Sequence, residues 1–295
     1  MKLSNKKIIN NSYNKCCFKD SVRIHYNREN NLIYFKPCSG STPINANIFS
    51  YDSDYFINNF DECLLNYENN IKTSLLTYYN GICIIDNYNY NRLCLCKLNK
   101  IKFIQNCISR NCNLKCIMCT ESKGLNKKEE YLYKKVNDLI LQSNYCKKFL
   151  YIYEPTCSGE PFLYKNEIYK MVDSYIKNIH ITTNGTLIND TDINILSKYK
   201  NKIKIALSFD SIIEKEYNLI RGDGNYKKVL SNINKLKYAG LLENIQLCIN
   251  EININSYKET INYFKNKNIK VLVTADAAIY HKYRNDIFIE TEKLL

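Results

Sequence analysis

Leu132, Val136, Leu139 and Ile140 recur at i, i+4, i+7 and i+8, one face of a helix. Just before that face stands an apolar run, KFIQNCIS (102–109), which reads as a strand. The same alternation then repeats along the chain. KFLYIY (148–153), NIHITT (178–183), KIKIALSF (202–209), IQLCINEI (245–252) and IKVLVTA (269–275) read as strands. Helices are expected over 167–172 and beyond, over 191–199, and from 225 with Val229, Leu230, Ile233 and Leu236 inward and Gly240 as the stop. A further helix runs through Phe264 after a capping box of Ser256 and Glu259.

Six strands, each but the last followed by a helix, predict an α/β fold with a parallel sheet and right-handed crossovers. Runs such as IKIAL and KVLVT are apolar throughout, as strands covered on both faces are. An open doubly wound sheet and a partial (β/α)6 barrel both satisfy the pattern. Both put function at the carboxyl ends of the strands. Four unusual turns leave those ends: RNCNLKCIMCTESKG (110–124), SGEP (158–161), TNG (183–185) and SFDS (208–211).

Residues 1–100 break the rhythm. They are loop-rich, with short apolar pieces such as NLIYF (31–35) and GICII (81–85). The pattern divides the chain into an accessory segment over 1–100, a core over 101–275 and a tail over 276–295. The accessory segment holds Cys16, Cys17, Cys38, Cys63, Cys83, Cys94 and Cys96, half of the 14 cysteines in the 295 residues. No run approaches the ~18 apolar residues of a membrane span, and the basic N-terminus has no apolar signal core. A cytoplasmic protein without a membrane span is expected. In a reducing compartment, cysteines more often bind metal or do chemistry than form disulfides.

The formal charge of +13 comes from 42 Lys and Arg against 29 Asp and Glu, spread along the chain without an Arg-rich block. That distribution reads first as a solvated face, and second as a surface for RNA or another polyanion.

Cys112, Cys116 and Cys119 stand at C-x3-C-x2-C spacing. Structural zinc closes a tetrahedron with four ligands, so a zinc reading needs a fourth from elsewhere, Cys107 or Cys157. Three thiolates on one loop can instead hold three corners of a [4Fe–4S] cube and leave its fourth iron open, as a catalytic centre requires.

CNLKCIMC resembles the signature of the radical S-adenosylmethionine (radical SAM) superfamily. SGEP resembles that family's G-G-E-P turn, with Ser158 for the first glycine, and TTNGTL resembles its T-N-G segment. SFDS followed by NLIRGDGNYKKVLSNI resembles a block of its SPASM, or peptide-modifying, and related branches. The resemblance covers about residues 101–275. It implies a partial (β/α)6 barrel, a [4Fe–4S] cluster on Cys112, Cys116 and Cys119, and SAM chelating the open iron. Reductive cleavage of SAM would then yield a 5′-deoxyadenosyl radical that takes hydrogen from a substrate.

The resemblance sets Ser158, Gly159 and Glu160 against the methionine moiety, with Gly159 letting backbone approach the ligand. It implies Ser208 at the ribose or methionine end, Arg221 at the SAM carboxylate, Asn250 near the ribose and Met118 near adenine. The expected partners are a peptide, protein or sugar-like small-molecule substrate and an electron donor such as flavodoxin or ferredoxin.

The related branches often carry a C-terminal extension with auxiliary clusters, whereas this sequence has no cysteine past Cys248. Residues 16–40 and NRLCLC (91–96) resemble parts of that extension, which implies Cys17, Cys38, Cys94 and Cys96 as ligands of a second cluster. Two rival readings are an RNA-modifying radical SAM enzyme and a non-catalytic zinc or iron–sulfur protein. Asp210 reads as the N-cap of a following helix, and Cys146 and Cys248 as small buried apolar groups. His25, His180 and His281 show no metal-ligand spacing.

Overall fold

The computed structural model describes residues 21–27, 31–36, 50–78, 100–119, 127–156, 158–222 and 225–275. In chain order the elements are β1 (Ser21–Asn27), β2 (Leu32–Lys36), β3 (Ser50–Asp52), α1 (Ser53–Asn58), α2 (Phe60–Tyr78) and β4 (Phe103–Gln105). Next come α3 (Lys127–Gln142), α4 (Asn144–Phe149), β5 (Ile152–Glu154), a 3₁₀ turn (Pro161–Tyr164), α5 (Lys165–Asp173) and β6 (Asn178–Thr183). The chain closes with α6 (Asp190–Ser197), β7 (Ile203–Ser208), α7 (Glu214–Arg221), α8 (Tyr226–Tyr238), β8 (Leu242–Ile249), α9 (Tyr257–Asn266) and β9 (Val271–Ala275). Two compact units result: residues 1–106 with 135–153, and residues 107–134 with 154–295.

In the first unit, β1 and β2 form an antiparallel hairpin, β3 pairs antiparallel with β2, and β4 pairs parallel with β1. Val22, Ile24, Ile33 and Phe35 alternate into the core. Phe35 meets the rings of Tyr51, Phe56 and Tyr67 edge-on. Asp52 caps α1 by accepting the amides of Asp54 and Tyr55. Buried Glu68 accepts from Tyr145 Oη and pairs with Lys100 Nζ at 2.7 Å. The described part of residues 1–100 is therefore strands and helices, more ordered than the loop-rich reading. The apolar piece NLIYF forms hairpin strand β2, too brief to show a period by itself, and GICII lies outside the described residues. Cys17, Cys38, Cys94 and Cys96 lie outside the described residues.

The second unit carries the parallel run. Strands β6, β7, β8 and β9 lie side by side in that order, every pair parallel. Ile179, Ile181, Ile203, Ile205, Leu207, Ile245, Leu247 and Ile249 are buried. Among the alternate positions, His180, Thr182, Lys204, Ser208, Gln246 and Cys248 are half-buried, while Ala206 and Asn244 are buried. The mixed α/β fold with a largely parallel sheet expected from the pattern is present.

Several elements differ from the expected pattern. Residues 148 and 149 close helix α4, whose N-cap Ser143 accepts the Cys146 amide, so strand β5 starts only at Ile152. The apolar run at 102–109 gives a strand of three residues. The strand expected over 245–252 runs instead over Leu242–Ile249, because Asn250 and Asn253 fold the next residues into a turn. The helix expected after Asp210 is α7, and no apolar period marks its extent: its inward residues are Tyr217, Ile220 and Arg221, and an arginine does not register in an apolar periodicity. The Ser256–Glu259 capping box is also absent. Ser256 Oγ donates to Glu216 at 2.5 Å and makes no side-chain cap.

Candidate metal centre

Cys112, Cys116 and Cys119 are free thiols on one short loop, tied by Cys119 N donating to Cys116 O at 3.0 Å. Two strand-end turns and one helix end, that of α7 after β7, hold this loop. After β5, Glu160 N donates to Asn111 O at 2.8 Å. After β6, Asn184 Nδ2 donates to Asn113 Oδ1 at 3.0 Å and lies 3.8 Å from Cys112 Sγ. Asn113 Nδ2 donates in turn to Thr186 Oγ1 at 2.8 Å, and Thr186 Oγ1 donates to Asn184 Oδ1 at 2.7 Å. After β7, Ile117 N donates to Ile220 O at 3.0 Å, and Arg221 Nη1 lies 3.9 Å from Cys116 Sγ.

The turn after β5 is built around Gly159 and Glu160. Gly159 has φ +77°, and a Cβ there would sit 2.4 Å from Ser109 O. The space a Cβ would take is filled by the backbone of Ser109 and Arg110, so the turn packs directly on the start of the cysteine loop. Glu160 is buried and accepts from Thr183 Oγ1 (2.7 Å), Asn184 N (2.8 Å) and Phe162 N (3.0 Å). Burial pushes its carboxyl pKa up, with those three donors opposing. It ties the β5 and β6 turns together beside Cys112. Ser158 Oγ lies 3.4 Å from Cys107 Sγ.

Asp210 does not cap α7, whose N-cap is Ile213 with no side-chain cap bond. It is fully buried and pairs with Arg221 Nε through Oδ2 at 2.5 Å, while Oδ1 accepts from Cys248 N at 2.8 Å. Burial alone would lower the Arg221 pKa, but Asp210, Cys116 and Tyr217 more than reverse it, so the guanidinium stays charged. The Cys116 thiol is pushed up by burial, with Arg221 pulling against it more strongly than Asp210 pushes. Cys112 is likewise raised by burial, against the Leu114 amide, which lies 3.4 Å from its sulfur.

The remaining expected residues sit as follows. Ser208 ends β7 on the half-buried side, opposite Gln246. Met118 is half-buried within the loop itself. Asn250 is buried at the end of β8, with Nδ2 on Cys248 O and Oδ1 accepting from Ile252 N. Cys146 is buried and Cys248 half-buried. His180 pairs with Glu243 at 3.1 Å. Asn184, Asn113, Asp210 and Tyr217 were not anticipated as site residues. The TNG turn was the available signal for Asn184. Nothing local marks Asp210 and Arg221 as partners across eleven positions.

The donor set fits a cluster. Cys119 opposes the ionisation of Cys112, and Cys112 and Cys119 oppose that of Cys116, so the three sulfurs share one neighbourhood. Two of the sulfurs have N–H donors within 4 Å, which favour thiolates. The buried Tyr217 hydroxyl, within electrostatic reach of Cys116 and Arg221, has no hydrogen-bond partner among the described residues. No three His, Cys, Asp or Glu among the described residues converge on one ion position. A cube asks for less convergence, because each thiolate takes a different iron. Cys107 is disulfide-bonded and so is not the fourth zinc ligand considered above, while Cys157 lies outside the described residues.

Fold and site together define a parallel α/β protein with a thiol loop clamped at the carboxyl rim of its strands. Residues 106–264 match the family model of the Radical SAM superfamily, more than half of the chain, and the protein belongs to that superfamily of enzymes. The chain is 26% identical over 156 residues to the antilisterial bacteriocin subtilosin biosynthesis protein AlbA of Bacillus subtilis (strain 168), covering 50% of this chain and 33% of that protein. It is 29% identical over 154 residues to the GTP 3′,8-cyclase of Clostridium botulinum (strain Hall), covering 48% and 45%. The matches thus span less than half the length of these curated relatives. Among solved structures, Streptococcus suis SuiB bound to precursor peptide SuiA is 15% identical with a TM-score of 0.47, covering 88% of this chain and 67% of that one. That likeness is too distant to assign a role to any residue. Among the described residues, no helix is long and apolar enough to cross a membrane.

Proposed function

We propose that the protein is a radical SAM enzyme whose [4Fe–4S] cluster is held by Cys112, Cys116 and Cys119. The observation that carries this reading is the clamping of the one loop that bears all three thiols against the strand-end turns of Glu160 and Asn184 and the helix end at Arg221. Held by these cysteines, a cluster reduced by an external electron donor would supply the one electron that splits the sulfonium of SAM into methionine and a carbon radical able to take a hydrogen atom from a substrate.

The chain's own residues position and exclude. Glu160 and the Ser158–Gly159 backbone form the wall for the methionine moiety, and Ser208 offers a hydroxyl at the rim. Met118 gives an adaptable apolar surface for adenine. Asn250 acts by shaping the turn beside the ribose, because its side chain is already bonded to that turn. The remaining guanidinium donors of Arg221 take the SAM carboxylate.

The favoured substrate is a peptide or protein, with a sugar-like metabolite next. In support, one relative is a bacteriocin biosynthesis protein, and the SFDS…RG block resembles the peptide-modifying branches. Residues 1–100 serve as an accessory segment in which Cys17, Cys38, Cys94 and Cys96 hold a second cluster. A flavodoxin or ferredoxin supplies the electron.

Iron and acid-labile sulfide after anaerobic reconstitution test this reading. The triple variant Cys112→Ala, Cys116→Ala, Cys119→Ala is expected to lose about four of each per chain relative to wild type. Equal iron and sulfide in both proteins would show that the loop is not the ligand set.

A further inference from the structure

We infer that Arg221, aimed by Asp210, sets the reduction potential of the cluster by donating a charge-assisted hydrogen bond to the Cys116 sulfur. The inference rests on the cluster reading above and gives Arg221 a task separate from holding SAM.

The geometry is over-determined. Arg221 is the last residue of α7, and Ile117 N bonds to Ile220 O, so backbone fixes the helix end against the cysteine loop. The guanidinium is buried, with 10% of its side chain exposed. Its direction is set by Asp210, which is itself held at two further points. Asp210 Oδ2 takes Arg221 Nε, Oδ1 takes Cys248 N, and Asn253 Nδ2 donates to Asp210 O at 2.9 Å. The end of the guanidinium that Asp210 does not engage is the end that meets Cys116, with Nη1 3.9 Å from Sγ.

A buried ion pair is weak evidence of selection for stability, since well-packed apolar residues often serve as well. This pair spends its burial in placing a positive charge beside a sulfur ligand. Hydrogen bonds to cluster sulfurs and nearby charge are what set such potentials. An added electron is stabilised by the adjacent cation, so Arg221 makes the cluster easier to reduce. Asp210 partly cancels that effect, but it lies beyond the guanidinium and is the more distant charge.

The test uses the full chain, reconstituted with iron and sulfide and titrated electrochemically without SAM, with the reduced cluster followed by electron paramagnetic resonance. The double variant Arg221→Gln, Asp210→Asn removes both charges and strands neither. Arg221→Lys keeps the charge and loses the fork. The expected result is wild-type iron content in both, a more negative midpoint in the double variant, and a midpoint restored toward wild type in the lysine variant. A cluster-loaded double variant with the wild-type midpoint overturns the inference, even if its SAM affinity has fallen, because Arg221 would then serve SAM alone. A lysine variant shifted as far as the double variant removes charge from the account and overturns it too. A wild type that takes up no cluster defeats the cluster reading itself, an outcome visible before any midpoint is measured.

Discussion

At the scale of single residues, the site depends on backbone positions that tolerate no side chain. Gly159 and Gly185 both hold positive φ, +77° and +76°, but their surroundings differ. A Cβ on Gly159 would meet the backbone of Ser109 and Arg110, which has nowhere to go, at 2.4–2.8 Å. On Gly185 it would meet the flexible end of Leu207 at 2.8 Å. Gly159→Ala is therefore expected to cost about 2–4 kcal/mol and Gly185→Ala about 1–2 kcal/mol, read from urea midpoints. Equal losses would mean that φ alone decides both.

Glu160, by contrast, is fixed through its side chain. Glu160→Gln would set an amide N–H₂ against the Asn184 or Thr183 donors, costing about 1–3 kcal/mol. Of the site, the three cysteines, the Ser158–Glu160 turn and Arg221 were legible because each sits in a short motif. Asp210 and Tyr217 were not, because their roles come from packing between segments distant in sequence.

At the scale of elements, strand β6 was read to the residue, since NIHITT alternates cleanly and Asn184 and Gly185 end it. Helix α4 was not, because KFLYIY has strand-like composition and only the Ser143 cap and its tertiary setting make its first residues helical. Capping residues likewise divide into those that cap and those engaged elsewhere. Asn189 makes a complete box on α6: its Oδ1 accepts from Asp192 N at 3.0 Å, and its own amide donates to Asp192 Oδ2 at 2.8 Å. Asn189→Ala is expected to cost about 1 kcal/mol, and Asn189→Gly only a few tenths, in equilibrium unfolding. An alanine variant as stable as wild type would show that the box contributes nothing.

At the scale of the whole molecule, one ion pair gives stability a readable pH dependence. The Glu243 hydrogen bond raises His180 above its ordinary 6.5, against burial. The same bond lowers Glu243 below 4.5. The histidine's contribution is full below about 6.5 and is lost as pH rises through its raised value. The glutamate's is present above about 4.5 and is lost as pH falls through its lowered value. The pair therefore helps most between these limits. With both side chains a third exposed, it is worth about 0.2–1 kcal/mol. His180→Gln should show its largest stability deficit near about pH 5.5, shrinking in alkaline buffer. A deficit that is flat with pH would assign the loss to packing.

The central claim is radical chemistry at the Cys112–Cys119 loop, and its most direct test is 5′-deoxyadenosine measured by mass spectrometry. Protein reconstituted anaerobically with iron and sulfide is given SAM and dithionite, with Cys116→Ala beside it. The account predicts 5′-deoxyadenosine and methionine from wild type and neither from the variant. Cluster-loaded wild type that binds SAM yet yields no more 5′-deoxyadenosine than the variant, with candidate peptides present, would contradict it.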